Sequence, residues 1–87
     1  MSDPRLLIDI EVLEFLRTLR RREQEDLLKC FHEIAASPSQ FSDFVECDTA
    51  GRRVDVHVSG KFAIKFWDDV ADRHVKILDV HPADLSA

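Results

Sequence analysis

The stretch Arg53-Val54-Asp55-Val56-His57-Val58-Ser59-Gly60-Lys61-Phe62-Ala63-Ile64-Lys65-Phe66-Trp67 decides the fold. Valine recurs at every second position from Val54 to Val58, and Phe62, Ile64 and Phe66 repeat that spacing beyond the glycine. A period of two marks a strand with one buried face, so the segment predicts a β-hairpin turning near Gly60. Matching faces then set its register. A two-residue loop at Ser59-Gly60 places Val56 opposite Ala63 and mixes the valine and aromatic sides. A three-residue loop, Ser59 to Lys61, places Val58 opposite Phe62, Val56 opposite Ile64 and Val54 opposite Phe66. It also sets Asp55 across from Lys65 as an opposite-charge pair. The three-residue loop is the expectation, with Val56 beneath the helices and Arg53, His57, Lys65 and Trp67 together on the other face.

Outward from the hairpin, Phe44 to Cys47 reads as a short strand, and Asp48-Thr49-Ala50-Gly51 has the Asp-first, Gly-last character of a type I turn. After a polar turn at Asp68 to Asp72, His74 to Val80 is apolar on both faces, as expected of a strand inside a sheet. Pro82 ends it. Before the hairpin, Ser37-Pro38-Ser39 stops a helical region. Within that region Val12, Phe15, Leu16 and Leu19 form one amphipathic stripe, and Leu27, Leu28, Phe31, Ile34 and Ala35 form another. Arg20 to Asp26 between the stripes holds no apolar residue, so the region is read as two helices, although one long helix with a solvated charged face suits propensity alone equally well. Arg20, Arg21 and Arg22 are expected to close the first, and Glu23, Glu25 and Asp26 to open the second, each sign matching the helix dipole. Leu6, Ile8 and Ile10 alternate with Leu7 and Asp9 as a first strand.

These elements predict an α+β fold of order β-α-α-β-β-β, with three or four strands after the helices according to whether Phe44 to Cys47 pairs, and a two-helix hairpin packed on one face of an antiparallel sheet. Residues 1–87 form one domain, since 87 residues leave no length for a second core. With 45% hydrophobic residues the chain suits a packed globule. A domain this small has a modest stability margin, which fits a protein held in a complex. No apolar run approaches the ~20 residues that span a bilayer, and the start lacks a signal-peptide pattern, so the expectation is a cytoplasmic protein without a membrane partner.

A net charge of -5 argues against broad attraction to polyanions. Cys30 and Cys47 read as buried free thiols. Cys30 and His32 are two apart on a helix and point to different sides, so no metal or cofactor is expected. No nucleophile elbow is present, and two glycines do not make a phosphate-binding loop.

The helical pair ending in Ile34-Ala35-Ala36-Ser37-Pro38, the segment Gly51-Arg52-Arg53-Val54-Asp55-Val56, the hairpin Ser59-Gly60-Lys61-Phe62-Ala63-Ile64 and the closing Val75-Lys76-Ile77-Leu78-Asp79-Val80 resemble the RelE/ParE superfamily of bacterial toxin-antitoxin proteins. The likeness spans nearly the whole chain through short structural motifs. It implies a toxin-like component of a type II system, bound by a cognate antitoxin, acting on the ribosome by cleaving mRNA.

In such an RNase His57 or His81 is the candidate base at the ribose 2′-OH, and Arg53 or Lys65 the candidate stabiliser of phosphate charge. Arg52, Arg53, Lys61, Lys65 and Trp67 are the candidate RNA contacts, cations for phosphates and an indole for stacking. The same alternation is also the default of any half-solvated antiparallel sheet. Asp55 stands where the resemblance expects a second cation, His81-Pro82-Ala83 brings no Arg, and the chain has no Tyr. These departures point to a second reading, a non-catalytic interaction protein of the same fold, either a ParE-like inhibitor of DNA gyrase or a non-toxic member.

Overall fold

A computed structural model describes residues 5–83. Strand β1 (Arg5–Ile8) ends sooner than its alternation suggests, because Asp9 caps the next helix and its Oδ1 accepts from the Glu11 N–H at 3.0 Å. Ile10 therefore belongs to helix α1 (Ile10–Arg17), whose Val12 and Leu16 are buried. Helix α2 (Arg21–Ala36) follows. Two helices form as expected, but the break falls before the arginines. Arg20 is the N-cap of α2 and Arg21 and Arg22 are its first residues. The Glu23 carboxylate accepts from the Arg20 N–H at 3.4 Å, and Gln24 Nε2 donates to the Leu19 carbonyl at 3.0 Å. These bonds fix the start of α2 more strongly than the dipole preference of an exposed cation.

Pro38 opens a 3-10 turn, η1 (Pro38–Phe41), and the chain enters strands β2 (Phe44–Cys47), β3 (Arg53–Ser59), β4 (Phe62–Asp69) and β5 (His74–Pro82). The fold is α+β as read, with helices packed on a five-stranded sheet of order β1-β5-β4-β3-β2. Four strands follow the helices, and the sheet is mixed because β1 pairs in parallel with β5 while the other pairs are antiparallel. Pairing Leu6 with Val75 and Ile8 with Ile77 extends the apolar side of β5 beneath the helices. The core joins Val12 and Leu16 of α1 and Phe31 and Ile34 of α2 to Ile64, Phe66 and Ile77 of the sheet.

The β3–β4 register differs from expectation. Ser59 pairs with Phe62 across a two-residue Gly60-Lys61 loop, so Val56 lies opposite Lys65, His57 opposite Ile64 and Asp55 opposite Phe66. Gly60 has φ +58° and takes the first central position, the place a type II′ turn reserves for glycine. Asp55 and His57 consequently face the helix side, and Val54 and Val56 face away from it.

The cause is what lies above each strand. The core helices pack over β1, β5 and β4, whereas η1 and the loop after it cover β3. Phe41 packs edge-on against the His57 ring at 5.0 Å, and Ser42 Oγ donates to Asp55 Oδ1 at 2.6 Å. Polar side chains are satisfied there, so Val54 and Val56 are buried on the opposite face.

A bulge in β5 keeps Ile77 and Val80 both on the core side, since Lys65 pairs with Asp79 and Phe66 with Ile77, leaving Leu78 unmatched. The Asp48–Gly51 turn forms as read. Gly51 N–H donates to the Asp48 carbonyl at 2.9 Å with Gly51 at φ +81°. The last turn falls later than read, at Val70–Arg73, because β4 continues to Asp69. Cys30 is buried as expected, whereas Cys47 is exposed at the end of the edge strand β2. Among the described residues no helix is long and apolar enough to cross a membrane.

Candidate functional site

The expected common face of Arg53, His57, Lys65 and Trp67 does not form, because the one-residue change of register turns over every side chain of β3 relative to β4. Arg53 and His57 lie on the side of the helices. Lys65 lies on the open side with Val56, and His81, paired with Ala63, lies there too. Trp67 pairs with Lys76 on that open side. The two histidines proposed as bases thus sit on opposite faces, and no phosphate partner is shared between them.

On the helix side, His57 Nδ1 donates to Asp43 Oδ2 at 2.8 Å, and the same carboxylate accepts from the Val58 N–H at 2.9 Å. The Val58 N–H and then His57 hold the Asp43 carboxyl below its ordinary range. Asp43 stands at the entry to β2 and clamps that loop to β3. Arg53 reaches Asp55 Oδ1 through Nη2 at 3.1 Å, so Asp55, only 7% exposed, is bonded to both Arg53 and Ser42. These contacts have the form of loop anchors, each hydrogen-bonded polar group offsetting the burial of another.

On the open side, Lys65 Nζ lies 3.1 Å from Glu46 Oε2, joining β4 to β2. His81 Nδ1 lies 3.2 Å from Asp79 Oδ2. Trp67 has the Arg52 guanidinium 4.6 Å and the Lys76 ammonium 5.3 Å from its ring centroid, a cation–π cluster built from adjoining strands. Arg52 is held there by Asp48, whose Oδ2 accepts from Arg52 Nε at 3.1 Å. The Arg52 N–H, first among several donors, lowers the Asp48 carboxyl below its usual range. Lys61 belongs to neither face. Its ammonium lies 2.7 Å from Glu23 Oε2, tying the Gly60 turn to α2 and lowering the Glu23 carboxyl.

Of the RNA candidates, only Arg52 and Trp67 come into contact with each other. Sequence reasoning missed the acids that hold the cations, Asp43, Glu46, Asp48, Asp79 and Glu23. The net charge of -5 was the available signal, because an acidic chain has a carboxylate to spare for each cation.

Two other features stand outside the expected site. A polar cavity of about 310 Å3 opens between the η1 loop, β3 and the end of β4. At the β4–β5 turn the ligand atoms of Asp69, Asp72 and His74 lie within 4.8 Å of one another, although no metal ligands were expected. Strand β2 forms one edge of the sheet and is exposed along its length, with Phe44 60% and Val45 54% exposed. Comparison of the chain with protein-family models, curated proteins and solved structures finds no match.

Proposed function

We propose that this chain is a partner-binding component of toxin-antitoxin type, with a RelE/ParE-like fold, that acts by occupying a protein target and does not cut RNA. The observation that carries this reading is the pairing of Arg53, Lys65, Lys61, His57 and His81 with carboxylates of the chain itself, spread over two faces and the Gly60 turn. A ribonuclease of this kind needs a base and a phosphate-stabilising cation on one reacting group. A binding protein needs exposed backbone and apolar surface, and edge strand β2 offers both. The partners in this reading are a cognate antitoxin and, as target, DNA gyrase, in the cytoplasm. The ribosome with its mRNA is the target of the competing catalytic reading.

Expression of the chain with and without the product of the neighbouring open reading frame tests the proposal, with growth, mRNA integrity and DNA supercoiling as readouts. Growth arrest without mRNA cleavage, retained in the Arg53→Ala/Lys65→Ala double variant and relieved by the neighbour, is the expected result. Cleavage of mRNA that the double variant abolishes would establish the catalytic reading. A chain that is harmless when expressed alone would remove the toxin reading altogether.

A further inference from the structure

The cavity between the η1 loop, β3 and the end of β4 holds one cation and two carboxylates. Arg53 and Asp55 line it from β3, Ser42 from the loop, and Asp68 from β4 together with Trp67, whose indole lies on the open face. Asp55 is engaged through Oδ1, which accepts from Ser42 at 2.6 Å and Arg53 at 3.1 Å. Asp68 has no hydrogen bond or ion pair to its side chain among the described residues, yet it is only partly exposed. The lining therefore carries one uncompensated negative charge.

Burial first, then the charges of Asp55 and Asp69, push the Asp68 carboxyl above its ordinary range, with Arg53 offsetting only part of the effect. An incoming cation relieves that repulsion. At about 310 Å3 the space lies at the lower end of ligand pockets, roughly 300–1,000 Å3, which suits the head of one side chain better than a cofactor. Val70, 76% exposed, lies at its rim and offers apolar surface to the stem of such a side chain.

We propose that this cavity receives one arginine guanidinium from a protein partner, with Asp68 as its carboxylate. Arginine fits better than lysine for two reasons. Its planar fork serves several acceptors at once, here Asp68, the Ser42 hydroxyl and Asp55 Oδ2, and its guanidinium is more weakly hydrated than an ammonium and so enters a half-buried site at less cost. The proposal deepens the partner-binding reading and rests on it for the source of the arginine.

The backbone amide of residue 68 lies at the cavity, so its NMR resonance reports occupancy. The chain is titrated with acetyl-Gly-Arg-Gly-amide, with the lysine peptide, and with the citrulline peptide as a neutral isostere. The arginine peptide should shift the resonance saturably, the lysine peptide more weakly and the citrulline peptide not at all. Asp68→Asn should weaken the arginine peptide about tenfold, the loss of one charge-assisted contact, without lowering the melting temperature. No saturable shift, equal binding of citrulline or lysine, or an unaffected Asp68→Asn variant would overturn the proposal. Growth arrest and its relief are read separately, so a binding cavity in a harmless chain sinks only the toxin reading. A toxic chain with an inert cavity sinks only the arginine.

Discussion

In β4 and β5 the apolar residues Phe62, Ile64, Phe66, Val75 and Ile77 face the helices, whereas in β3, one strand further along, Val54 and Val56 face the opposite way and Asp55 and His57 take the helix side. Both regions alternate with a period of two. They differ in their cover: apolar stripes of α1 and α2 over β4 and β5, and a polar loop with Phe41, Ser42 and Asp43 over β3. Alternation within a strand tells which residues share a face. It does not tell which face lies under the helices, because that depends on how far the helices reach across the sheet.

The sharpest way to break this comparison is to place one carboxylate on each face. Ile64→Asp buries an unpaired charge in the closed core, where Ile64 has no exposure, and should cost about 3–5 kcal/mol, much of a small domain's stability. Val56→Asp instead loses the burial of one valine, about 1.5–3 kcal/mol, and gains Lys65 directly opposite on the same face. Thermal melting should show Ile64→Asp without a cooperative transition and Val56→Asp folded with a lowered midpoint. Equal damage from the two would mean that Lys65 does not compensate a carboxylate at position 56.

A smaller effect tests the loop that sets the register. Gly60→Ala meets no atom within 4 Å, so its cost is the positive φ alone, about 1–2 kcal/mol. An unchanged melting temperature would mean that Gly60 is not held at positive φ.

Smaller still is the acid response of the β3 cover. The Asp43 carboxyl is held below its ordinary range by the Val58 N–H and His57, so its contribution is present above the unfolded pKa and is lost as pH falls through the lower folded value. Asp43→Asn should therefore flatten the fall in melting temperature below about pH 4, near the reference value of an unperturbed Asp. Asp48, lowered by its own contacts, preserves the rest of the slope. An acid limb unchanged by the substitution would remove Asp43 as the clamp. The smallest effect is expected on the open face, where the coupling of Lys65 to Glu46 in a double-mutant cycle should lie within about 0–1 kcal/mol, as for other exposed pairs.

Much of the fold was legible because its signals are local. Ser37-Pro38 ended α2 at Ala36, Phe44–Cys47 formed a strand with the bounds read from it, and the Asp48 turn closed as its residues require. The parallel partner of β1 was not legible, since Leu6 and Ile8 suit either neighbour. The register at Gly60 was not legible, because alternation alone does not require Val54, Val56 and Val58 to share the side of Phe62, Ile64 and Phe66. The candidate site inherited that ambiguity. Arg53, His57 and Lys65 were identified as surface groups with chemistry to offer, but their distribution over two faces depended on the register, and their acidic partners came from β2, the loop before it and β3 itself.

The register is therefore the point at which one measurement tests most. In an antiparallel ladder the non-hydrogen-bonded pairs bring their α-carbons closest, so proton–proton contacts between facing Hα atoms read the pairing directly. The Val58 N–H is donated to Asp43, outside the β3–β4 ladder, which identifies Val58–Ala63 and Val56–Lys65 as such pairs. Solution NMR should show Hα–Hα cross-peaks for Val58–Ala63 and Val56–Lys65. Cross-peaks for Val58–Phe62 and Val56–Ile64 in their place would restore the valines to the core and return Arg53, His57, Lys65 and Trp67 to one face.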